Sequence, residues 1–178
     1  MNQSVAKLPV TLVEPGTVKL ERLLPGPIER VWAYITEPDK RAKWLCAGEF
    51  EARVGAKVTF QFDHSQLSGD QEVPPKYKDV GKKPSYGVVT RVEHLRLLAH
   101  TWVWDSGETK VVYELTPHGR DVLLTIVHSQ VKGREATASV MGGWDVHSGI
   151  LADILNGVEP RPFWKTHTQL EAEYGATV

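Results

Sequence analysis

Residues 120–156, RDVLLTIVHSQVKGREATASVMGGWDVHSGILADILN, change period halfway along. In the first part Leu124, Ile126 and His128 recur at every second position, the repeat of a strand with one buried face. From Ala136 the repeat becomes helical. Val140, Trp144, His147, Leu151, Ile154 and Leu155 fall on one stripe. Gly142-Gly143 lets this helix start or bend against a neighbour, and Asn156-Gly157 suits a left-handed cap at its end. A long helix with an apolar stripe, arriving straight after a strand, needs a sheet face to cover it.

Reading upstream, the segments before this helix are strands. Residues 109–116 and 120–131 form a hairpin around Pro117-His118-Gly119. Residues 86–95 and 97–104 are two more strands. Tyr86, Val88, Thr90 and Val92 share one face, and Trp102 and Trp104 share one on the next strand. Residues 48–53 and 56–63 read as a hairpin around Val54-Gly55, with Val58, Phe60 and Phe62 on one face. Residues 17–24, TVKLERLL, place Val18, Leu20 and Leu24 on one side together with Arg22. Strands in sequence joined by short turns predict an antiparallel meander, not βαβ crossovers.

Two helical stretches follow the first strand. Pro25-Gly26-Pro27 stops it, and Ile28, Val31, Trp32 and Ile35 then recur at helical spacing. Thr36 is placed to cap a second short helix over 37–45, with Pro38 in its first turn. Downstream, Glu159-Pro160-Arg161-Pro162 breaks the chain before a last helix over 163–174. The expected fold is α+β: a curved antiparallel sheet of about seven strands wrapped around a long C-terminal helix. A single domain is expected over 14–174, with 1–13 as an N-terminal tail. Residues 64–85, polar and proline-rich, read as a long loop that is either a solvated insertion or a flap over a pocket mouth.

Composition narrows the function. The chain has 178 residues, 41% hydrophobic and 24% charged, with a formal net charge of −1. No basic surplus favours phosphate backbones, so nucleic acid is not an expected partner. The single cysteine, Cys46, cannot form an internal disulfide, and it reads as a structural thiol; a cytoplasmic location is the default. Residues 1–13 lack the apolar core of a signal peptide, and no apolar run reaches the roughly 18 residues of a membrane span.

No motif for a nucleophile elbow, zinc protease, P-loop or dinucleotide site is present. Four histidines have strand or helix parity with apolar neighbours. His64 continues the Phe60/Phe62 face, His100 shares the Trp102/Trp104 face, His128 shares the Leu124/Ile126 face, and His147 lies one turn from Trp144. Imidazoles at such positions either line a cavity or are satisfied inside the core. Their spacings show no metal site, and no cofactor is expected. Arg22 either snorkels to water at the sheet end or pairs with Glu93, Asp145 or a ligand carboxylate.

Several strings carry a family resemblance: Leu20-Glu21-Arg22 followed by Pro27-Ile28-Glu29-Arg30-Val31-Trp32, Thr36-Glu37-Pro38 before Lys43-Trp44-Leu45, Tyr86-Gly87-Val88-Val89 with Glu93, Thr101-Trp102, and Gly142-Gly143-Trp144. With the order of elements, they resemble the heat-shock protein 90 ATPase activator homologue-like family of the START and birch-pollen-allergen-like (SRPBCC) superfamily. The resemblance spans roughly residues 14–174 and implies a helix-grip fold. It implies no one function, because that fold hosts carriers, cyclases, hydrolases, receptors and chaperone partners.

The expected function is binding of a small hydrophobic or amphipathic molecule between sheet and helix. Trp144, His147 and Leu151 are expected to face Phe60, Phe62, Trp102, Tyr113 and Ile126 across an apolar cavity. The alternatives are an enzyme, such as a cyclase or hydrolase, acting on such a ligand, and a protein-partner role like that of a co-chaperone. An open sheet edge makes a homodimer plausible.

Overall fold

The computed structural model describes residues 8–69 and 72–178. Seven strands are β1 (Val10–Glu14), β2 (Thr17–Pro25), β3 (Lys57–Phe60), β4 (Ser85–Glu93), β5 (Leu97–Trp104), β6 (Gly107–His118) and β7 (Asp121–Ser129). Four helices are α1 (Ile28–Thr36), α2 (Pro38–Arg41), α3 (Arg134–Leu155) and α4 (Phe163–Gly175). The strands form one sheet in the order β1-β2-β7-β6-β5-β4-β3, and every pairing is antiparallel. This is the expected helix-grip arrangement.

Register explains how the concave face is built. Leu20 lies opposite Ile126, and Ile126 opposite Tyr113. Tyr113 in turn lies opposite Leu98. All four are buried, so one apolar row crosses four strands. Helix α3 packs against β1 and β2 on one side and against α4 on another. It is therefore buried beyond the single stripe read from its sequence, at Asp145, Ser148 and Ile150 as well as Trp144 and Leu151. Gly142 permits the second contact: a Cβ there would lie 3.3 Å from the Glu171 backbone nitrogen.

Five sequence expectations are corrected. The strand over 48–53 does not form. Ala47 pairs with Gln61 through an isolated bridge, and Gly48 then turns at φ +123°, where a Cβ would meet the Thr59 carbonyl at 2.1 Å. The seventh strand is instead β1, which starts in the expected N-terminal tail and ends one residue past it; only Val10 of it is buried, so it shows no alternation to read. Thr36 does not cap α2, whose N-cap is Glu37; its hydroxyl donates to the Trp32 carbonyl at 2.8 Å. Helix α2 ends at Arg41, and turns carry the chain to Leu45. Finally, a register shift between Val89 and Arg91 breaks the parity of β4. Tyr86, Val88 and Thr90 face outward, while Val92 packs against the core.

The loop over 64–85 is anchored at several points. It contains two short 3₁₀ turns, His64–Gln66 and Pro75–Tyr77. The Phe163 N–H donates to Ser68 Oγ at 3.0 Å. The Tyr77 hydroxyl bonds Ser139 Oγ at 2.8 Å and donates to the Glu171 carboxylate, which also pairs with Lys76. Among the described residues, no helix is long and apolar enough to cross a membrane.

Candidate functional site

A cleft of about 1090 Å³ opens at the N-terminal half of α3. Ser139, Val140, Gly143 and His147 of that helix form one wall, and Phe163, Trp164 and His167 of α4 extend it. Facing them are Phe62 and the end of β5, Trp102 to Trp104. Tyr77 and residues 79–84 close the outer side, with Lys82, Lys83 and Asp105 at the rim. A small cavity of about 90 Å³ shares Phe62, Trp102, Trp104 and His147 with the cleft and reaches inward to Trp144 and His128.

Trp102 organises the aromatic wall. Strand parity turns it inward beside His100, and its Nε1 donates to Ser85 Oγ at 2.8 Å. Its ring stacks on Phe60 (4.6 Å between centroids, 19°), Phe62 (5.6 Å, 13°) and His128 (5.6 Å, 13°). Phe62 continues the stack onto His64 at 5.5 Å. Such offset stacks hold flat faces in fixed positions and present apolar area with little conformational freedom left to lose.

The histidines differ in what their two ring nitrogens do. Trp144 Nε1 can only donate, and it lies 3.0 Å from His128 Nδ1. His128 therefore carries its proton on Nε2, which donates to Thr109 Oγ1 at 2.9 Å, and Thr109 donates onward to the Trp102 carbonyl. Likewise, His100 Nδ1 donates to the Thr101 carbonyl at 2.9 Å and Nε2 accepts from the Tyr113 hydroxyl at 3.2 Å. Both rings are fully used by the protein. His147 is half used: Nδ1 lies 2.7 Å from the Trp44 carbonyl, and that is the ring's one hydrogen bond among the described residues.

Burial keeps these rings neutral. Desolvation lowers His64 and His100 to about 4 and His128 to about 3. His147 falls to about 3, first through desolvation and then through the neighbouring His64. His167 is also lowered by burial; its Nε2 bonds the Ser139 carbonyl, while its Nδ1 is buried without a hydrogen bond. Burial raises the Cys46 thiol to about 11, so it is protonated at neutral pH and a poor nucleophile. No group of three or more His, Cys, Asp or Glu among the described residues is placed to hold a metal ion.

The expected pocket residues divide. Phe62, Trp102 and His147 line the cleft, and Trp144 lines the small cavity. Phe60, Tyr113, Ile126 and Leu151 belong to the packed core behind them, each 3% exposed or less. The space between mid-helix and mid-sheet is thus filled, and the cleft lies nearer the start of α3. Tyr77, Phe163, Trp164 and His167 were not among the expected residues. The aromatic pair opening 163–174 and the Phe163/His167 spacing of four are their only sequence signals.

Similarity to other proteins agrees with this architecture. A family profile described as Activator of Hsp90 ATPase homolog 1-like protein matches residues 25–156. The solution structure of the BPP1335 gene product of Bordetella parapertussis is 35% identical, with a TM-score of 0.78 over 94% of this chain and 89% of that one. The crystal structure of CalU16 from Micromonospora echinospora shares the fold at 19% identity, with a TM-score of 0.68 over 90% of this chain and 86% of that one. DynU16, a protein of the dynemicin biosynthetic locus, shares it at 24% identity and a TM-score of 0.64, over 84% of this chain and 51% of that one. No curated protein sequence matches.

Proposed function

Starting from the fact that this chain belongs to the Activator of Hsp90 ATPase homolog 1-like family of the SRPBCC superfamily, we propose that it binds a small hydrophobic or amphipathic molecule in the aromatic cleft beside α3. One observation carries the reading: a concave space of about 1090 Å³ whose inner wall is the Phe62–Trp102 stack and whose rim is charged. Binding sites for small molecules are concave, mainly apolar and supplied with few polar groups, and they commonly measure about 300–1,000 Å³. The apolar body of the ligand rests against the rings of Phe62 and Trp102.

Native mass spectrometry of freshly purified protein, with titration of the dye 1-anilinonaphthalene-8-sulfonate, tests this. The expected result is a co-purified mass or saturable dye binding at one site per chain. A bare protein mass together with no saturable dye signal overturns the proposal.

A further inference from the structure

We infer that His147 Nε2 is a fixed hydrogen-bond acceptor that selects neutral ligands carrying an O–H or N–H donor on an apolar body. This rests on the cleft being a ligand site and goes further by stating which ligand chemistry it takes.

The argument begins with the Trp44 carbonyl. A carbonyl oxygen only accepts, so the 2.7 Å contact places the His147 proton on Nδ1. The lone pair of the neutral ring is then on Nε2. His147 lines both the cleft and the small cavity, and among the described residues the ring's one hydrogen bond is the Nδ1 contact to Trp44, so nothing in the fold donates to Nε2. His100 and His128 show the contrasting outcome, with both nitrogens occupied by partners from the fold itself.

The surroundings sharpen the selection. Phe163 lies 4.8 Å from the His147 ring centre, His64 5.6 Å and Phe62 5.9 Å. The nitrogen is not among the buried atoms left without a partner, so it is open to solvent in the cleft, and an apolar ligand seated there without a donor strips the lone pair of hydration and returns nothing. A hydroxyl or N–H aimed at it repairs that loss. A carboxylate or phosphate brings only acceptors and meets the lone pair with repulsion. Sites built around a hydrogen bond discriminate more sharply against analogues that lack it than apolar pockets do against a missing methylene.

Isothermal titration with 2-naphthol, 2-methoxynaphthalene and 2-naphthoate tests the inference. The first two share a ring system and differ in the donor. The expected order is 2-naphthol tighter than its methyl ether by about tenfold or more, with naphthoate weakest. His147→Phe keeps a flat ring in the cleft and removes the acceptor; it should bind naphthol and ether equally well. The wild-type comparison stands by itself if that variant folds poorly. Equal binding of naphthol and ether by the wild type overturns the inference and leaves the ligand site intact. A preference for naphthol that survives in His147→Phe also overturns it, since the donor is then read elsewhere. Failure of all three probes to bind, joined to a negative dye titration, removes the ligand site and this inference together.

Discussion

Asp145 on α3 lies 2.7 Å from Arg22 Nη2 on β2, which ties the long helix to the strand it covers. Its second oxygen accepts the Tyr174 hydroxyl at 2.7 Å, and Ser148 Oγ accepts from Arg22 Nε at 2.8 Å. The Arg22 and Asp145 side chains are only 17% and 7% exposed. Asp145→Ala leaves the guanidinium in a largely dry site without its counter-charge, and should cost about 3–5 kcal/mol. Tyr174→Phe removes one charge-assisted bond and should cost about 1.5–3 kcal/mol. Urea unfolding of both variants measures this; a loss below 1 kcal/mol for Asp145→Ala would place the pair among weak surface bridges.

The buried histidines make stability depend on pH. His64, His100, His128 and His147 titrate well below the ordinary value of about 6.5, because burial disfavours the charged ring. Between about pH 6.5 and 4 the unfolded chain therefore binds protons that the native state does not. Stability is present in full above this window and falls as the pH drops through it, by up to about 1.4 kcal/mol per pH unit for each histidine. Urea midpoints at pH 7.5, 6 and 5 should decline steadily, and His128→Gln should flatten the decline by close to one proton. An unchanged midpoint from pH 7.5 to 5 would contradict the neutral-core assignment.

The Arg22–Asp145 pair and the buried histidines show what could be read from sequence. The alternation that put Arg22 beside Leu20 and Leu24 was visible, and so was the parity of His100 with Trp102 and of His128 with Ile126. The partner of Arg22 was open among Glu93, Asp145 and a ligand, because alternation says which face a side chain takes and not what lies opposite. The cleft was legible on one wall only. Phe62, Trp102 and His147 sit on periodic elements, whereas Tyr77 sits in a loop with no period. The strand over 48–53 failed because Gly48 leaves the ladder at a left-handed φ, which the alternation rule does not see.

Leu151 separates packed core from cleft. It is fully buried and belongs to the main core cluster. Leu151→Trp adds volume where no space is open, and should cost about 1–3 kcal/mol through displaced neighbours. Thermal melts check this. A variant as stable as the parent would mean that the cavity extends to mid-helix after all.

Gly142 and Gly143 are adjacent in α3 and should respond in opposite ways. A Cβ on Gly142 meets the Glu171 backbone at 3.3 Å, whereas one on Gly143 meets nothing within 4 Å and points into the cleft wall. Both lie inside a helix, where alanine is favoured over glycine by roughly 0.5–1 kcal/mol. Gly143→Ala should gain that amount in full. Gly142→Ala should gain nothing or lose stability, because α4 must shift to admit the methyl group. Extending the side chain turns the difference into a test of the site. Gly143→Leu projects a branched group between His147 and the Trp102 wall, into space that is open in the parent. Its stability should stay within about 1 kcal/mol of the parent, while dye binding in the cleft weakens at least tenfold. Dye titration and urea unfolding on the same preparations read both quantities. Undiminished dye affinity in a folded Gly143→Leu protein would show that the dye binds away from this cleft.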